Sequence, residues 1–95
     1  MMDKETYQRM MQAQLDQWKA EIDKLQAQAR EASADMQAKY QDEIHELRQK
    51  RSEMEAQYDK IQAASAEAWK DFKTGADQAW DNMSAAMKSA WNRFG

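Results

Sequence analysis

Large apolar side chains recur along this chain at helical spacing almost from its start. Met11, Leu15, Trp18, Ile22, Leu25, Ala29, Ala32 and Met36 follow one another in steps of 4-3-4-3-4-3-4, and most of the positions between them are polar or charged. Steps that alternate between four and three hold a stripe on one side of an α-helix. Sustained over more than three heptads, they are the pattern of a left-handed coiled coil. Past Met36 the steps become 4-4-3, through Tyr40, Ile44 and Leu47, which shifts the repeat from seven residues to eleven. Steps of eleven then run Leu25, Met36, Leu47, Tyr58, Trp69, Trp80, Trp91, with Met54 and Ile61 on the same seam. A companion position three residues on is apolar at Ile61, Phe72, Met83 and Phe94. Eleven residues in three turns are close to the pitch of a straight helix, so the apolar face stays nearly aligned.

The pattern predicts an all-α chain with a long coiled-coil helix over 1–62 that either continues or hinges at 63–66 into a Trp-rich amphipathic helix over 67–95. The hinge is placed where the large seam residues run out, at Gln62-Ala63-Ala64-Ser65-Ala66. Asp3 is the expected N-cap, its carboxylate accepting from the exposed amides of the first turn. Gly75 interrupts neither phase nor pattern and is read as a weak point within a helix, costing ~1 kcal/mol relative to alanine. Composition agrees, since Ala, Glu, Lys, Leu and Arg supply 42 of the 95 residues and Gln and Met another 20. These are the side chains that lose least rotamer freedom in a helix. With three leucines, three isoleucines and no valine, the chain lacks the β-branched and large aliphatic residues of a sheet protein.

Candidate chemistry is thin. The chain has no cysteine, hence no disulfide framework and no thiolate metal site. His45 is the only histidine. In His45-Glu46-Leu47-Arg48-Gln49 the position of a second zinc-binding imidazole holds Gln49, and Asp42-x-x-His45 is half of a di-iron element flanking the seam. No metal site, cofactor or catalytic residue is therefore expected, and the protein is not read as an enzyme. Residues 1–50 carry 8 bases and 10 acids and residues 51–95 carry 6 and 7, so no basic arm points to nucleic acid. Arg48, Lys50 and Arg51 form a small basic cluster offset by Glu43, Glu46, Glu53 and Glu55. Arg51 falls on the seam, where a charge weakens packing and restricts register. The N-terminus has no apolar run of the signal-peptide kind and no apolar stretch exceeds three residues, so the expected location is cytoplasmic.

The expected self-association seam is Met11, Leu15, Trp18, Ile22, Leu25, Ala29, Ala32, Met36, Ile44, Leu47, Met54, Tyr58 and Ile61. A second stripe, the interaction stripe, comprises Trp69, Phe72, Ala76, Trp80, Met83, Met87, Trp91 and Phe94. Its five aromatics represent ~20–30 kcal/mol as an upper bound if fully buried. Such a stripe exceeds what a protein surface normally leaves wet. Further copies of the chain, giving a homo-oligomer, or the chain's own N-terminal helix are the first expectation for its cover. A membrane or granule surface docked through residues 67–95 is the alternative, because 11-residue repeats align with a flat interface. A larger protein complex is a third.

The segments Gln14-Leu15-Asp16-Gln17-Trp18-Lys19-Ala20-Glu21-Ile22-Asp23-Lys24-Leu25 and Ala63-Ala64-Ser65-Ala66-Glu67-Ala68-Trp69-Lys70-Asp71-Phe72-Lys73-Thr74-Gly75-Ala76 resemble a family of small bacterial coiled-coil proteins, often labelled stress-response proteins. The likeness covers nearly the whole chain. The chain departs from the family pattern in its many methionines, in Trp91 where small residues are common, and in Phe72 for the usual leucine. The resemblance implies an all-helical, non-enzymatic bacterial protein with a structural or scaffold role, and transfers no catalytic or ligand residues. In periodicity alone the 11-residue repeats are similar to apolipoproteins and granule-coating phasins.

Overall fold

The computed structural model describes residues 3–94. The chain is all-α, in three helices: α1 (Lys4–Arg30), α2 (Ala34–Ala63) and α3 (Lys70–Phe94). They pack side by side into a rod of 51 × 19 × 17 Å. α2 runs antiparallel to both neighbours. One pole holds the start of α1, where Lys4 Nζ donates to the carbonyls of Gln62 (3.2 Å) and Ala64 at the end of α2. The other pole holds the end of α3, where Phe94 stacks on Tyr40 at 4.3 Å between ring centroids and Arg93 pairs with Glu43 at 3.6 Å. Residues 1, 2 and 95, the ends of the expected 1–62 and 67–95 segments, lie outside the described residues.

Each helix begins and ends for a local reason. Asp3 Oδ1 accepts the Thr6 amide at 2.8 Å, capping α1, and this hydrogen bond lowers the Asp3 pKa. The long helix expected over 1–62 is corrected to two helices, because the chain reverses at residues 31–33. There the amides of Glu31 and Ala32 fold back onto the carbonyls of Gln28 and Ala29 at 3.1 and 3.2 Å. Gln37 Nε2 reaches the carbonyl of Ala32 at 3.1 Å. In a single chain, a continuous helix would hold much of the seam in water. Reversing it lets the apolar faces of α1 and α2 cover each other, which outweighs a few helical hydrogen bonds.

A second reversal spans residues 64–69. Ala64 is extended, the Ser65 hydroxyl accepts from the Ala68 amide at 3.0 Å, and Trp69 is buried before α3 begins. Among the described residues no peptide is cis and no φ is positive, so both reversals are made by residues of ordinary conformation. Gly75 lies within α3 facing α2. A Cβ built there would stand 3.0 Å from Gln57 Oε1, so the missing side chain permits close approach of the two helices.

The core is one continuous cluster. α1 contributes Tyr7, Met11, Leu15, Trp18, Ile22, Leu25 and Ala29, and α2 contributes Tyr40, Ile44, Leu47, Met54 and Ile61. α3 adds Ala76, Met83, Met87 and Ala90, with Trp69 closing one end.

Candidate functional site

The seam, expected to pack on further copies, and the interaction stripe, expected to be covered by further copies or by the chain's own N-terminal helix, meet each other inside this bundle. Of the seam, Met11, Leu15, Trp18, Ile22, Leu25, Ala29, Ile44, Leu47, Met54 and Ile61 are buried, and Ala32 and Tyr58 pack partly buried against them. Of the stripe, Trp69, Ala76, Met83 and Met87 are buried, and Trp80, Trp91 and Phe94 are partly so. Two residues are the least covered, Met36 at 36% and Phe72 at 38% exposed. The chain is thus its own principal cover for these apolar faces.

Aromatic side chains fill the space between the parallel helices α1 and α3. The Trp18 indole meets Trp80 edge-on at 6.0 Å, and Tyr7 lies 5.5 Å from Trp69 and 6.4 Å from Trp80. Such tilted contacts set the negative face of one ring against the positive edge of another. Tyr7 was not among the seam residues expected from sequence. It stands four residues before Met11, in phase with the stripe, and that spacing is the signal that could have found it.

Tyr7 also carries the polar contact that ties α1 to α3. Its hydroxyl donates to Asp77 Oδ1 at 2.5 Å. Lys73 Nζ lies 2.7 Å from Asp77 Oδ2 and 5.4 Å from the centroid of the Tyr7 ring. Burial pushes the Tyr7 phenol well above its ordinary value, helped by the hydrogen bond to Asp77 and the negative charges of Asp77 and Asp81. For Asp77, burial acts upward, but the hydrogen bonds from Lys73 and Tyr7 and the Lys73 charge hold the carboxyl below its usual range. Tyr7, Met10, Lys73, Asp77, Trp80 and Asp81 line a groove of about 350 Å³ between α1 and α3. It is shallow and open, with Met10 43% exposed on it.

The raised phenol pKa has a measurable consequence. The folded state holds the Tyr7 proton more tightly than the unfolded chain does. Its contribution to stability is therefore complete below the ordinary value of 10.0 and is lost as pH rises past it. The urea midpoint of the parent is expected to start falling near pH 10.0 and to keep falling as pH rises toward the raised folded value, and that of Tyr7→Phe to fall less. Equal slopes in the two proteins would show that the phenol is not the group responsible.

Among the charged residues singled out in the sequence, Arg48 and Arg51 tie α2 to α1. Arg51 at its seam position donates from Nε to the Leu15 carbonyl of α1 at 3.0 Å and pairs with Glu55 one turn on. Its stem lies along the apolar surface while the guanidinium fixes the register of α2 on α1. Arg48 bridges to Asp23 at 3.3 Å and to Gln26 Oε1 at 2.6 Å on α1, and Lys50 pairs with Glu46 at 3.4 Å. His45 is exposed, with Gln49 Nε2 3.2 Å from its Nε2. Among the described residues no group of three or more His, Cys, Asp or Glu side chains is placed to hold a metal ion. No helix among them is long and apolar enough to cross a membrane.

Fold and surface together define a small antiparallel three-helix bundle whose apolar seam is covered largely from within the chain. Compared with protein-family models, with curated proteins and with solved structures, the chain finds no match.

Proposed function

We propose that this is a non-enzymatic structural protein that works by self-association of its helical bundle. The observation that supports it best is the continuity of the seam across the first reversal. Leu25, Ala29, Ala32, Met36 and Tyr40 keep helical phase through residues 31–33, yet Met36 is left 36% exposed on the closed bundle. A seam position left partly uncovered is where a second copy can add packing. The resemblance to bacterial stress-response coiled-coil proteins supports the same class and suggests service under stress.

Docking of the Trp stripe on a lipid or granule surface is weakened by the burial of Trp69 and by the packing of Trp80 against Tyr7 and Trp18. α3 would first have to leave the bundle.

Sedimentation velocity over a concentration series tests self-association. The parent is expected to exceed its 11.1 kDa chain mass as concentration rises. Met36→Asp is expected to weaken association ~10-fold or more, equivalent to ~1.4 kcal/mol, with helix content unchanged. A parent that stays monomeric throughout would overturn the proposal.

A further inference from the structure

We infer that two copies of this chain associate by exchanging α1, the reversal at residues 31–33 opening so that α1 and α2 become one helix. This rests on the self-association proposed above and specifies its geometry. In the exchanged dimer the α1 of each copy lies on the α2 and α3 of the other, so every core contact of the closed bundle is kept and merely divided between chains.

Three observations favour the opening at this place. The first is the chemistry of the reversal. Glu31-Ala32-Ser33 contains neither glycine nor proline, and Glu31 lies at the edge of the right-handed helical region, at φ −94° and ψ −5°. Ser33 is extended, at φ −62° and ψ 161°, and as the N-cap of α2 its side chain makes no capping hydrogen bond. The first amides of α2 therefore lack the side-chain acceptor that an N-cap serine usually supplies. A straightened helix would give those amides backbone carbonyls instead.

The second is phase. Ala29, Ala32 and Met36 continue the 4-3-4 steps of α1, so straightening the chain leaves one uninterrupted stripe. Two such helices running antiparallel would meet at the two-fold axis near Ala32. Met36, left exposed in the closed bundle, would lie in that central contact.

The third is contrast with the other reversal. Residues 64–69 are held by contacts of their own, the Trp69 indole being buried and the Ser65 hydroxyl accepting from the Ala68 amide. At the first reversal Glu31 and Ser33 are exposed and Ala32 is only partly buried. Opening there uncovers little that the closed state had buried locally.

Residue 33 allows a direct test. Its φ of −62° is the angle proline adopts, and the amides that close the reversal belong to Glu31 and Ala32. Ser33→Pro is therefore compatible with the cap position while excluding a continuous helix. Ser33→Ala favours the continuous helix and removes no capping bond. A third variant with two glycines inserted after Ala32 relaxes the reversal without proline.

All three and the parent would be refolded from denaturant at high protein concentration and separated by size exclusion with light scattering. The dimer would then be measured by small-angle X-ray scattering. We expect Ser33→Ala to raise the dimer fraction several-fold. Ser33→Pro and the insertion are expected to lower the association constant ~100-fold or more. The dimer should be ~90 Å long, the length of one helix from Lys4 to Ala63, against 51 Å for the closed bundle. A dimer indifferent to all three changes, or no longer than the closed bundle, overturns exchange and leaves side-by-side self-association standing. Absence of any dimer in parent and Ser33→Ala overturns both.

Discussion

Leu25→Asp is expected to abolish the fold. Leu25 is fully buried on α1, and among the described residues no polar or charged residue is buried to receive a carboxylate. Placing an unpaired charge there costs several kcal/mol on top of the lost packing. Truncation to alanine alone costs ~2–5 kcal/mol. A single domain of this size has little reserve, at the low end of the ~5–15 kcal/mol typical of folded proteins. Far-ultraviolet circular dichroism at room temperature should show most of the helical signal gone in Leu25→Asp and retained in Lys24→Asp, whose site next door is exposed. A cooperative melt for Leu25→Asp near that of the parent would contradict the assigned core.

Trp18→Ala is the second large effect. The Trp18 indole is buried and its contact with Trp80 joins α1 to α3, which are parallel and meet through aromatic side chains. Removing a buried Trp side chain costs ~3–5 kcal/mol. For a domain of about this size that corresponds to a fall in Tm of ~12–40 °C. Trp18→Phe keeps a ring against Trp80 and should lose less than half as much. Equal losses for the two variants would mean that volume in contact with Trp80 is not what α1 requires at this position.

Helical class and most of the buried face were legible in the sequence because periodicity records which side of a helix is apolar, whoever covers it. For the same reason it could not say that the cover is the chain itself. Seam and stripe look alike whether a partner or a neighbouring helix lies against them, and only the reversal at residues 31–33 decides. That reversal was not legible, since Glu31, Ala32 and Ser33 are compatible with a helix and the seam keeps phase through them. Ser33 followed by Asp35 was the available hint, a capping residue with an acid in the first turn of α2.

At the other reversal, Trp69 was read as one position of a helical stripe. It lies in the turn before α3, so the indole closes the end of the core while Phe72 is left exposed. Arg51 looked like a liability by its seam position. The carbonyl of Leu15 that receives its Nε belongs to another helix and has no mark in the local sequence.

Three is an odd number of antiparallel helices, and this sets where force can enter the rod. α1 begins at the pole of the second reversal, beside Ala64, and α3 ends at the opposite pole, beside Tyr40. A pull between Lys4 and Phe94 is directed along the 51 Å axis, so neighbouring helices are loaded in shear. Interlocked side chains along the whole length then resist together. A two-helix hairpin held at its open end would instead unzip one turn at a time. Pulled from its two ends, the bundle would resist along its whole length at once rather than one turn at a time.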